Sequence, residues 1–104
     1  MLRKNPHTRT PSLRAGNEFF ADDSHRAQVT IGFNKSVSDG VNLYSKRASE
    51  AAFTFLARDT ESPYVDNRAN PTAAPETRDY YGLYVLHDSE IGDQSDTAQA
   101  VCKG

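Results

Sequence analysis

The sequence predicts an all-β fold, an antiparallel sandwich, on three observations. Apolar residues recur at every second position in several short runs, and no run carries a convincing helical stripe. Turn residues separate these runs at short intervals. The chain has 104 residues, enough for one domain and too few for two lobes with a cleft between them.

Residues 1–16 contain Pro6, Pro11 and Gly16 among scattered polar residues without a period, and read as a flexible basic tail. The domain is placed at 17–104. Residues 17–24 (NEFFADDS) fit either a short edge strand or a turn of helix. From Ala27 the period becomes two: Ala27, Val29, Ile31 and Phe33 alternate with Gln28, Thr30 and Gly32, the pattern of a half-buried strand. Asp39-Gly40 signals a turn before the next strand, where Val41, Leu43 and Ser45 alternate with Asn42, Tyr44 and Lys46. Small and polar residues 48–52 make a second turn. Phe53, Phe55 and Ala57 then alternate again; residues 47–57 are the one stretch with a rival helical reading, and their aromatic and Thr content favours strand.

Pro63 confines Tyr64-Val65-Asp66 to an edge or a strand start, because proline cannot donate to a ladder. Residues 67–76 (NRANPTAAPE) form the longest loop. Thr77 to Leu86 is the strongest strand, residues 87–90 turn the chain, and a last strand covers about Asp93 to Cys102.

Leu, Ile, Val and Phe total 19 residues, a fraction low enough to signal disorder only when net charge is also high; here net charge is −2. Residues 27–104 hold fifteen of the nineteen and all five Tyr, enough for a small core. Charge is unevenly spread. Arg3, Lys4, Arg9 and Arg14 stand without an acid in residues 1–14, which leaves the rest at −6 and argues against a nucleic-acid-binding body. Cys102 is the single cysteine, so neither an intramolecular disulfide nor a cysteine zinc site is available. No apolar stretch has membrane-span length and no apolar segment follows Met1. The expectation is a cytoplasmic protein.

Four features, in order, carry a resemblance. A strand ends in an aromatic, Phe33; a Val41-Leu43-Ser45 strand follows; then come Tyr80-x-Gly82-x-Tyr84-x-Leu86 and an Ile91-Gly92…Ser95 turn into the last strand. On these, Ala27 to Val101 resembles an antiparallel immunoglobulin/fibronectin type III-like sandwich. The segments DGVNLYSKR, FTFLARDTESPYVDNR and PETRDYYGLYVLHDSEIGDQSD are similar to a C-terminal domain of uncharacterised bacterial proteins. The resemblance implies a fold and no activity; the chain has no Trp and no Arg-Gly-Asp.

Asp88, Glu90, Asp93 and Asp96 are the candidate metal ligands, since clustered carboxylates suit calcium. Their spacing matches no EF-hand loop, and the competing reading is an acidic tip facing water. His87, Ser95 and Cys102 are the nearest approach to a catalytic trio, and no nucleophile elbow, phosphate loop or HExxH pattern accompanies them. His7 and His25 have no metal spacing with His87. Asn34-Lys35-Ser36 is a sequon by chance. Tyr64, Asp66, Arg68, Arg78 and Asp79 are expected to form an exposed polar set that pins the long loop, each pair contributing about 0–1 kcal/mol.

The strand at 80–86 is apolar on both faces, with Tyr80, Gly82, Tyr84 and Leu86 on one side and Tyr81, Leu83 and Val85 on the other. One face of a two-layer sandwich is ordinarily wet. A bulge at Gly82, a cover from Phe19-Phe20, or a partner would each account for this. The expectation drawn is a non-catalytic interaction or structural module. It has no cofactor, and it associates with a protein or with itself through Tyr44, Tyr81, Leu83 and Val85. A metal-binding or enzymatic domain using the acidic turn 87–96 is the alternative.

Overall fold

The computed structural model describes residues 10–16, 28–34, 38–72 and 74–102, and all regular structure among them is β. The strands are β1 (Leu13–Gly16), β2 (Val29–Phe33), β3 (Gly40–Arg47), β4 (Thr54–Asp59), β5 (Tyr64–Asp66), β6 (Glu76–Leu86), β7 (Ser89–Ile91) and β8 (Ala98–Cys102). They form two antiparallel sheets. The smaller runs β1-β2-β5, and the larger runs β4-β3-β6, with β7 and β8 sharing the far edge of β6 end to end.

Alternation decides what each sheet buries. Val29, Ile31 and Phe33 of β2 face Val41 and Leu43 of β3 and Tyr80 and Tyr84 of β6 in one core, which Ala100 and Cys102 of β8 complete. Gly82 lies on the inner side of β6 because a Cβ there would meet Val41 Cγ1 at 2.8 Å and Leu13 Cδ1 at 3.2 Å. A Cβ on Gly40 would lie 2.7 Å from the Asp59 carbonyl oxygen. That close approach, rather than a hairpin, is what Asp39-Gly40 serves: β2 and β3 belong to different sheets.

Several boundaries differ from the sequence reading. Leu13–Gly16 belong to the domain and not to a flexible tail; they pair with Thr30–Phe33, and Leu13 and Ala15 pack on the core. Arg14 on the outward side hides that alternation in so short a segment. Residues 17–24, the Phe19-Phe20 cover, His7 and His25 lie outside the described residues. The last strand is two pieces. Residues 92–97 loop out between β7 and β8, and Ser95 holds the gap closed: its N–H donates to the Gly82 carbonyl at 2.8 Å and its hydroxyl oxygen accepts the Gly82 N–H at 2.9 Å. No bulge occurs at Gly82, where the β3–β6 register is unbroken from Gly40↔Val85 to Arg47↔Arg78. The irregularity is instead in β4, where the register to β3 shifts between Leu43 and Tyr44.

Candidate functional site

Two side-chain assemblies stand out, one inside the sandwich and one on its surface. The inner assembly closes the end of the core beneath loop 67–75. Asp66, at the end of β5, receives Arg68 in a two-point fork, Nε to Oδ1 and Nη2 to Oδ2, both at 2.8 Å. The Tyr80 hydroxyl donates to Asp66 Oδ2 at 2.7 Å, and Arg78 Nη1 lies 3.3 Å from the same oxygen. Arg78 Nε donates to Glu76 Oε1 at 2.8 Å, and its Nη2 donates to the Arg68 carbonyl and Asn70 Oδ1. Arg47 Nε donates to Glu76 Oε1 at 3.0 Å and Nη2 to the Ala69 carbonyl. The loop is held on three sides.

Burial alone would raise the Asp66 and Glu76 carboxyls. Donated bonds from Arg68 and Tyr80 to the first, and from Arg78 and Arg47 to the second, outweigh it, and both carboxyls titrate below their ordinary values. Burial pushes the Tyr80 phenol far up, and the adjacent Asp66 charge adds to it. The expected polar set therefore exists with four corrections, the first being that Tyr64 packs against the core and, among the described residues, makes no hydrogen bond with the set. The set is buried, with Arg78 at 0% and Asp66 at 1% exposure. Asp79 is on the opposite face of β6, where it accepts from Gln99. Glu76, Arg47 and Asn70 are members that sequence reasoning missed. The assembly is structural: every side chain in it bonds another group of the same chain, although Arg78 Nη1, buried, makes no hydrogen bond of its own.

The outer assembly lies on the solvent side of the larger sheet. Register places Phe55, Tyr44 and Tyr81 in one row across β4, β3 and β6. Tyr44 and Tyr81 stack with centroids 4.9 Å apart and planes 9° from parallel, Phe55 meets Tyr44 edge-on at 5.7 Å, and Phe53 meets Tyr81 at 4.8 Å. Phe55 remains 56% exposed. Beside this row the Tyr44 hydroxyl and Asn42 Nδ2 both donate to Glu90 Oε2, and Arg58 bridges Asn42 Oδ1 and Asp88 Oδ1. The bond to Glu90, then burial, pushes the Tyr44 phenol up to about 12; the same bond, with that from Asn42, holds Glu90 low.

Of the four surface residues expected from sequence, Tyr44, Tyr81 and Leu83 lie half-buried on this face. Val85 does not serve as a contact: it is 1% exposed. It sits at the crowded end of β6, between Gly40 and Glu90, where Asp39 N–H bonds its carbonyl and the Asp39 carboxylate takes the His87 N–H. Phe55 was legible as a strand residue, whereas Phe53, also read as one, lies just before β4, and the side of neither was legible. Among the described residues, no group of three His, Cys, Asp or Glu converges to hold a metal ion. Asp88 and Glu90 are instead engaged by Arg58, Tyr44 and Asn42. His87 and Cys102 lie at opposite ends of β6, about 36 Å apart on a strand rise of about 3.3 Å, so no trio assembles. A surface cleft of about 300 Å³ is lined by Ser12, Arg14, Gly32, Phe33, Asn34 and Ser62, without a carboxylate, imidazole or thiol.

A three-stranded sheet packed on β4-β3-β6 and a split last edge define a fibronectin type III-like β-sandwich. The chain is similar to the crystal structure of a Fn3-like protein from Clostridium thermocellum, at a TM-score of 0.63 and 21% identity over 91% of each chain. The sequence matches no protein-family profile and no curated protein. Among the described residues no helix is long and apolar enough to cross a membrane.

Proposed function

We propose that this domain is a non-catalytic binding module that recognises another protein surface through the outer face of β4, β3 and β6. One observation carries the reading: a row of aromatic rings lies outside the core, ends in the exposed Phe55, and is bordered by polar groups already bonded to one another. Along that border little is left to donate or accept. The face offers apolar area at its centre and a polar rim, the anatomy of protein-binding patches.

The test is a photo-crosslinking phenylalanine analogue placed at Phe55 and, separately, at Val65, which is exposed on the smaller sheet. In cells that make the chain, adducts should form at position 55 in clear excess over position 65. Equal yields at the two positions would refute the assignment of the face.

A further inference from the structure

The outer face has a charge pattern that matches itself. Next to the aromatic row, register places Lys46 of β3 beside Asp79 of β6, with Gln99 of β8 beyond. Among the described residues Lys46 makes no ion pair, although an acid is its register neighbour, while Asp79 accepts only the Gln99 amide. Consider a two-fold axis along the strands, midway between β3 and β6 and in the plane of contact. It lays β3 of one copy over β6 of the other. Lys46 then faces the partner copy's Asp79 twice over, and Tyr44 faces the partner copy's Tyr81. A symmetric contact repeats each pairing in reverse, so one favourable pair becomes two. Keeping strands aligned across such a contact also fits the packing of two equally twisted sheets.

We propose that the partner on this face is a second copy of this chain, packed sheet to sheet about that axis. The proposal rests on the reading of the face as a binding surface and adds the occupant and the register. Four strands about 4.8 Å apart and six residues at about 3.4 Å each give a patch of about 400 Å² per copy. That is about half the area per partner of a standard stable complex, so the dimer forms and dissociates with concentration.

Sedimentation of the 104-residue chain between about 10 μM and about 1 mM should show the mass climbing from one chain toward two. Lys46→Glu and Asp79→Lys, each at a partly exposed site, should each shift the midpoint about tenfold upward, and the two together should restore it. Phe55→Arg should hold the chain monomeric with an unchanged melting temperature. A monomer throughout would overturn the second copy as occupant. Association abolished by Phe55→Arg but indifferent to the charge swaps would overturn the register. The crosslinking at positions 55 and 65 judges the face itself, because an adduct of another protein's mass keeps the face and removes the self-pairing.

Discussion

Replacing Asp66 by Asn keeps the size of the side chain and removes its charge. In the wild type its two oxygens accept three times from Arg68, through the backbone N–H, Nε and Nη2, and once from Tyr80, with Arg78 Nη1 3.3 Å away. The amide has one oxygen to offer, and its nitrogen turns a donor toward donors. Arg78, fully buried, loses one of two acids, and Tyr80 loses a charged acceptor. Removing one partner of a buried pair costs about 3–5 kcal/mol, and the surviving Glu76 contact places this case near about 3 kcal/mol. For a domain of this size that corresponds to a melting temperature lower by about 12–24 °C. Thermal melts followed by circular dichroism at pH 7 measure it, with Asp88→Asn as the control. Asp88 also pairs with an arginine, but its side chain is 93% exposed, so its loss should cost under about 1 kcal/mol. If Asp66→Asn melts within a few degrees of Asp88→Asn, the buried assembly does not hold the fold and the reasoning fails.

Two further outcomes follow from the same structure. Asp66 and Glu76 titrate lower in the folded chain than unfolded, so their contribution is fully present above about pH 5 and is lost as pH falls through the folded values; urea midpoints should hold near neutrality and drop below about pH 5, less steeply for Asp66→Asn, and parallel profiles would contradict this. The β6–β7 turn places His87 and Asp88 at φ 54° and 66°, where Asn-Gly is favoured; His87→Asn with Asp88→Gly should raise stability by about 1 kcal/mol in urea titrations, and a loss would show that the native pair is held by contacts stronger than its strain.

The central strands were within reach of the sequence because alternation survives in Val29–Phe33, Val41–Ser45 and Tyr80–Tyr84, where one face meets a single core. Legibility failed where a residue's neighbour is supplied by the other sheet. Arg78 sits at an inward position of β6, yet an arginine reads as exposed until Asp66 on β5 is brought opposite it. Val85 obeys the outward alternation and is buried all the same, because the turns at 38–39 and 87–88 close around the end of its strand. The split of the last edge was hidden for a related reason. Ser95 bonds to Gly82 on both sides of its peptide, so residues 92–97 leave the sheet without leaving a backbone group of Gly82 unpaired. Of the surface face, Tyr44 and Tyr81 were legible from period two; Phe55 and Glu90 needed the register.

The two assemblies on β6 divide the work of the strand unequally. On the inner face each side chain is engaged by another, although the buried Arg78 Nη1 lies 3.3 Å from Asp66 Oδ2 without making a hydrogen bond. On the outer face Tyr44 and Tyr81 have a reason internal to the chain, since a stacked pair contributes about 0.5–1.5 kcal/mol beyond its burial, and Phe53 shields Tyr81 further. Among the described residues Phe55 has one ring contact, edge-on to Tyr44, keeps more than half its surface exposed, and lies on a strand whose outer edge is unpaired. A threonine, like its neighbour Thr54, would serve that position in the sheet as well and expose no ring. Stability therefore accounts for the two tyrosines and leaves Phe55 over. It is there, at the end of the row and not at its centre, that the binding reading and a purely structural one separate.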